Sequence, residues 1–320
     1  MSSAAVPHQE DRPGAPGAGD AARRRHNVLV ALNFAAVYIL WGSTYLGIRA
    51  GLRDLPPALM AGSRFTLAGA LMLAWLLWRG ERLPPRSFLG PIAVTGLLML
   101  LGGNLLVCFA EATVSSGMAA VIVANLPFVF VIVELFRKDG ERLSLLGVAG
   151  LFIGFSGMLI LTWPKLVASY SLGIGTMRGE AMLLLANLCW ALGSIYSRKR
   201  LRGVAPLMST ALQMFIAGLA LCVLGFLLGE APRWNFTPRA ALAVGWLMVA
   251  GSILGYSAYM WLLAHVPAVK VSTYAYVNPI IALGLGWLFF DEPLGWRIWA
   301  GTAVILGGVA VVNLARVRQA

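Results

Sequence analysis

Long apolar runs separated by short polar stretches dominate the chain. After a polar opening segment come ten such blocks: 28–50, 57–79, 89–110, 114–136, 144–163, 180–199, 205–228, 239–262, 268–290 and 295–315. Each is close to the ~20 apolar residues that a helix needs to cross a bilayer. They are too long and too uniformly apolar for membrane-barrel strands, and open strands leave backbone groups unsatisfied in lipid. The pattern predicts an all-α integral membrane protein with ten transmembrane helices. Residues 1–27, rich in Ala, Gly, Pro and charge, read as a disordered cytoplasmic tail. They lack the apolar core of a signal peptide.

The basic residues orient the blocks. With the N-terminus inside, sixteen Arg and Lys fall in cytoplasmic segments, six fall outside, and Arg49, Arg64 and Lys270 lie within helices. This positive-inside bias places both termini in the cytoplasm. The basic residues sit in short loops between apolar blocks, so the net charge of +12 does not read as a nucleic-acid surface. Composition agrees: 59% hydrophobic and 12% charged, with a mean hydropathy of +0.79, against ~25% charged in soluble domains. A soluble enzyme, a disordered chain and a disulfide-stapled secreted domain are excluded. Cys108, Cys189 and Cys222 lie in apolar blocks without CxxC spacing and read as packing residues. Arg outnumbers Lys 21 to 4 on an Ala- and Gly-rich background, which points to a GC-rich bacterial source.

The chain repeats itself. Trp41 and Trp190, Arg49 and Arg198, and Pro57 and Pro206 recur at an offset of 149. Pro127 and Pro279 recur at 152; Glu141 and Glu292, Gly150 and Gly301, and Gly157 and Gly308 recur at 151. Residues 28–163 and 180–315 each hold five blocks. Five is odd, so the second half enters the membrane from the opposite side, giving two inverted five-helix repeats. That is a secondary-transporter architecture, with a substrate site near the midplane between the halves.

Polar groups inside the blocks are candidates for that site. Each fourth helix carries an Asn and a proline deep in the bilayer, Asn125 with Pro127 and Asn278 with Pro279. Such prolines free the carbonyls of Val123 and Ala275. The freed groups either line a cavity or belong to kinks healed by neighbouring helices. Trp41 and Tyr45 share a face of the first helix with Tyr38; Tyr256, Tyr259 and Trp261 lie in the eighth, Tyr274 and Tyr276 in the ninth. These aromatics either stack on a substrate or simply pack. Arg64, two turns into the second helix, suits an anionic substrate group or a structural ion pair. Asn104 adds a polar group in the third helix. Glu111 and Glu134 are candidate proton carriers, or acids that meet water near helix ends; Lys270 reads as snorkelling. Gly47/Gly51, Gly150/Gly154 and Gly251/Gly255 favour close helix contact.

The sequence has no GxxxxGK[ST] loop and no HExxH, and His8, His26 and His265 have no metal-ligand spacing. No cofactor or metal is expected. A channel or an intramembrane enzyme is the alternative to a carrier, each without a visible filter or catalytic constellation. The expected partners are a small-molecule substrate and membrane lipid; monomer and homodimer both remain open.

The stretches Trp41-Gly42-Ser43-Thr44-Tyr45, Arg64-Phe65, Ala119 to Pro127 and Glu141-Arg142-Leu143 with Gly150 and Gly157 come in a fixed order. Trp190, Val266-Pro267-Ala268, Tyr274 to Pro279 and Glu292-Pro293-Leu294 with Gly301 and Gly308 follow. In this order the chain resembles the EamA family of the drug/metabolite transporter superfamily, over about residues 28–315. The Trp41–Tyr45 and Tyr274–Pro279 stretches are similar to its YedA-type subgroup. The resemblance implies a ten-helix inner-membrane carrier that exports small metabolites, amino acids or amphipathic compounds. It supplies no catalytic residues.

The orientation is testable by cysteine labelling from outside intact cells. A Lys165→Cys variant should react and a Lys199→Cys variant should not. The reverse pattern inverts the topology.

Overall fold

The computed structural model describes residues 18–110, 114, 122–171, 177–290 and 295–319. Helices occupy the apolar blocks: α1 (Ala18–Gly51), α2 (Pro57–Trp78), α3 (Arg86–Ala110), α4 (Leu126–Leu135) and α5 (Leu145–Ser171). Then follow α6 (Met177–Arg200), α7 (Pro206–Leu227), α8 (Pro238–His265), α9 (Tyr274–Phe290) and α10 (Trp296–Leu314). A single turn, Ala268–Val271, precedes α9. Among the described residues eight helices are long and apolar enough to cross a membrane, and α4 is a shorter apolar helix.

Local sequence explains why α2 and α7 begin and end alike. Each opens on a proline in its first turn, where the missing N–H costs nothing. Each closes on a glycine with positive φ, Gly80 at 81° and Gly229 at 68°. The following amides of Glu81 and Glu230 then reach back to the carbonyls of Leu76 and Gly225, both at 3.0 Å.

The helices pack reciprocally. The most extensive pairings are α2 with α7 and α5 with α10. α1 packs on α8 and α9, and α6 packs on α3 and α4. The first helix of each half thus leans on the third and fourth of the other. Glycine permits the closest approach: a side chain at Gly69 would overlap the backbone nitrogen of Phe215, and one at Gly218 that of Thr66. Outward faces carry Leu67, Leu71 and Trp75 on α2 and Leu219, Val223 and Phe226 on α7, all exposed. Exposed apolar belts of this kind suit lipid, which supplies no driving force to bury them.

Four features depart from the sequence expectation. Residues 18–27, expected within the disordered tail, extend α1; Ala and Arg are good helix formers, and Asp20 sits favourably in the first turn. Helix α5 runs past Pro164 to Ser171. The all-α picture gains a short antiparallel ribbon, β1 (Glu141–Leu143) against β2 (Val317–Gln319), with Arg142 opposite Arg318. Helices α3 and α8 each contain a stretch with i→i+5 hydrogen bonding, Leu97–Leu105 and Leu247–Tyr256. Such widened turns are rare overall and frequent at functional sites.

Candidate functional site

Both widened turns contribute lining residues to one cavity of about 110 Å³. Its lining comes from both halves: Trp41, Thr44 and Ile48 of α1, Arg64 and Phe65 of α2, and Leu100, Gly103, Asn104 and Val107 of α3. The remainder is Val123 and Leu126, Ala186, Asn187 and Trp190 of α6, Gly251 and Tyr256 of α8, and Tyr274 and Asn278 of α9. Trp41, Arg64, Asn104, Tyr274 and Asn278 are therefore brought together as lining residues.

Aromatic rings floor the cavity. Trp41 meets Tyr274 edge-on at 4.9 Å between centroids, Tyr259 at 5.0 Å and Trp190 at 5.5 Å. Hydrogen bonds fix the rings: Trp41 Nε1 donates to the Gly251 carbonyl at 3.0 Å and Trp190 Nε1 to the Tyr259 hydroxyl at 3.0 Å. Tyr259 also lies 2.8 Å from Ser194 Oγ. It is fully buried beneath the lining rather than part of it. Two glycines make the room: an added Cβ would stand 2.7 Å from the Trp190 ring at Gly103 and 2.5 Å from Trp41 Nε1 at Gly255.

The polar side is sparse. Arg64 is 3% exposed and donates from Nη2 to Asn104 Oδ1 at 2.7 Å. Its Nε is buried without a partner, and among the described residues no carboxylate pairs with it. Asn278 is 2% exposed, and its Oδ1 is likewise buried without a partner. Asn187 spends its amide on the Ile122 carbonyl at 2.8 Å. Among the described residues no cluster of His, Cys, Asp and Glu could hold a metal.

The prolines stand beside the cavity. Pro127 is buried in the first turn of α4, directly after a turn at residues 124 and 125. Pro279 is buried inside α9, whose break lies upstream at residues 272 and 273. Asn125 is half-buried and outside the lining. The Tyr45 side chain, Glu111 and Glu292 lie outside the described residues.

Ionic clusters stand at either end of the bundle. At the end holding the α1–α2 and α7–α8 connections, Asp54 accepts from Arg239 at 2.6 and 2.9 Å and from Thr237 at 2.6 Å. These bonds, Arg239 first, hold the Asp54 carboxyl down at about 2. Nearby, Glu230 accepts the Ala58 and Leu59 amides at the start of α2, at 3.3 and 2.8 Å, where helix-end charge favours an anion.

The opposite end is tied more densely. Arg198 Nη2 pairs with Glu141 Oε1 at 2.8 Å, and its Nη1 reaches the carbonyls of Leu263 and Val266. Glu141 Oε2 accepts the Ala268 amide at 3.1 Å. Glu134, 1% exposed, accepts the Glu141 amide at 2.9 Å and pairs with Arg137 at 3.2 Å. It belongs to this clamp and not to the cavity. Lys199 pairs with Asp139 at 2.7 Å and holds that carboxyl down at about 2. Asp54 and Asp139 therefore stay ionised until pH falls toward those values. Lys270 donates to the Asn313 carbonyl at 2.6 Å, at the end of α10.

Two matches to one family model cover most of this scaffold, at residues 28–163 and 177–314; the model describes the EamA-like transporter family. The chain belongs to the EamA-like transporter family. It is 38% identical over 283 residues to the inner membrane transporter YedA of Escherichia coli K12, covering 88% of this chain and 89% of YedA. It is 24% identical over 287 residues to the transporter YoaV of Bacillus subtilis, covering 88% of this chain and 96% of YoaV. A solved crystal structure shares the fold with a TM-score of 0.73 at 23% identity, over 89% of this chain and 96% of that one. This EamA chain is thus a membrane transporter of several apolar helices. Its relatives point away from an enzyme.

Sequence reasoning did not single out Thr44, Asn187 or Trp190 as lining residues. The repeat pairing of Trp190 with Trp41 carried the signal for the last.

The Arg198–Glu141 clamp generates a test. Hydrogen bonds to charged groups contribute about 1.5–3 kcal/mol. Amide hydrogen exchange at residues 141–143 and 268–271 should therefore rise roughly tenfold to a hundredfold in Glu141→Ala. Exchange at Ala58 and Leu59 should stay unchanged. Equal rates in variant and parent would remove the clamp.

Proposed function

We propose that this EamA chain is a secondary transporter that exports small metabolites, amino acids or amphipathic compounds across the inner membrane by alternating access. The observation that carries the reading is a central cavity lined from both sequence-related halves, with one bundle end clamped by Arg198 and Glu141. In this reading ten helices form two inverted five-helix repeats, a relation supported by the reciprocal packing of α1 on α8 and α9 and of α6 on α3 and α4. With both termini cytoplasmic, the clamp lies on the cytoplasmic side. The lining residues of α1 and α2 then lie in the outer half, so the cavity faces outward.

Trp41, Arg64, Asn104, Tyr274 and Asn278 touch the substrate in this account. Tyr45, Asn125, Pro127, Tyr259 and Pro279 shape the path around it. Rocking of one half against the other would release the Arg198 clamp and expose the same residues inward. The substrate gradient drives efflux; proton exchange through Glu111 or Glu134 is the competing form. The ties of Glu134 to Arg137 and to the Glu141 amide favour the first.

Purified protein in proteoliposomes tests this, with a panel of labelled amino acids and short carboxylates. Saturable efflux of at least one compound, unchanged by an imposed pH gradient, is expected. Flux that rises linearly with concentration for every compound would contradict a carrier. Uphill accumulation driven by a pH gradient and intact in both Glu111→Gln and Glu134→Gln would contradict both forms of coupling.

A further inference from the structure

The guanidinium of Arg64 is buried and underused. It has five N–H donors, and the described structure gives them one acceptor, Asn104 Oδ1. The guanidinium also lies over the ring of its own neighbour Phe65, its carbon 4.4 Å from the ring centroid, and interacts with the Cys108 thiol group. A cation this deep in a membrane protein is costly unless it is paired. None of the described residues lining the cavity is acidic. Asn278 presents the complementary deficiency on the same cavity, a buried carbonyl oxygen with no donor. Two side chains, each more than nine-tenths buried and each with a buried polar atom that lacks a partner, Arg64 Nε and Asn278 Oδ1, border one space between aromatic and aliphatic walls.

We infer that the cavity is a site for a small organic monoanion, a carboxylate with an adjacent hydrogen-bond donor and an apolar body. The inference rests on the carrier reading and narrows its substrate class. The carboxylate accepts from the Arg64 fork, whose planar geometry suits two parallel bonds. The donor, such as a 2-hydroxyl, fills the Asn278 oxygen. The apolar body lies against Trp41 and Trp190. Charge sets the class. One buried cation is neutralised by one negative charge. A phosphate monoester brings nearly two, with a single cation in the described lining to meet them. A zwitterionic amino acid brings none net, so it leaves the site at +1, with no acid in the described lining to receive its ammonium.

Calorimetric titration of the full-length protein in nanodiscs tests the assignment, using 2-hydroxy acids from lactate through 2-hydroxyisovalerate to phenyllactate. The best binder is compared with the amino acid and the 1,2-diol of the same carbon skeleton. The acid should bind at least tenfold more tightly than the amino acid, and the diol should not bind measurably. Arg64→Gln should abolish binding, and Arg64→Lys should weaken it at least tenfold. Asn278→Leu should erase the preference for the 2-hydroxy acid over the acid lacking the hydroxyl. Thermal unfolding of each variant checks that it is folded, and the Asn278→Leu comparison stands if an Arg64 variant fails that check. Amino acid or diol binding as tight as the acid, or acid binding unchanged in folded Arg64→Gln, overturns the inference. Saturable flux of another compound class with no hydroxy acid bound overturns it and leaves the carrier reading intact. Hydroxy acid binding as expected, with no saturable flux of any compound, upholds it and overturns the carrier reading.

Discussion

A hydrocarbon surrounding offers no hydrogen bonds, so each polar group inside the bundle must be met by protein or by a ligand. Arg64 is where this constraint presses hardest. The groups around it follow from the need to hold a cation at depth while leaving most of its donors open. Asn104 takes one donor, and it does so from the widened stretch of α3. Close packing on α7 through Gly69 and Gly218 fixes one face of α2, the helix that carries Arg64.

The two ends solve a related problem with opposite signs. Glu230 caps the start of α2, and Glu141 caps the turn at Ala268. Each carboxylate meets backbone N–H groups that would otherwise lack partners at a helix start. Glu141 also binds Arg198, so one acid links the α4–α5 connection, α6 and the entry to α9. A set of charge-assisted bonds at a bundle end is well suited to reversible closure. Arg198 and Glu141 are partly wet, and their bonds exchange with water at modest cost.

Much of this was legible in the sequence, because lipid forces helices to be long, apolar and evenly spaced. Among the described residues, helices lie in the apolar blocks, eight of them long enough to cross a membrane, and the repeat offsets relate the matched ends of α2 and α7. Arg64, Asn104 and Asn278 stood out because polar side chains deep in apolar runs are costly and so carry meaning. What escaped notice depended on tertiary proximity. The β1–β2 ribbon joins three-residue segments far apart in sequence, too short to leave a pattern. The widened turns of α3 and α8 are set by packing and have no residue signature beyond nearby glycines. Pro279 pointed to a break, but the chain breaks upstream at residues 272 and 273, since α9 accommodates the proline internally. Glu134 resembled a free acid until the fold brought Arg137 and the Glu141 amide to it.

The central claim is that Arg64 is retained for a ligand and not for the fold. Replacing it with methionine separates the two roles, because removing an unpaired buried charge relieves a desolvation cost that the fold bears. The decisive measurement is thermal unfolding of Arg64→Met alongside its efflux in proteoliposomes. The account predicts a midpoint equal to or above that of the parent, with saturable efflux lost. A lowered midpoint, or efflux that survives, would contradict it.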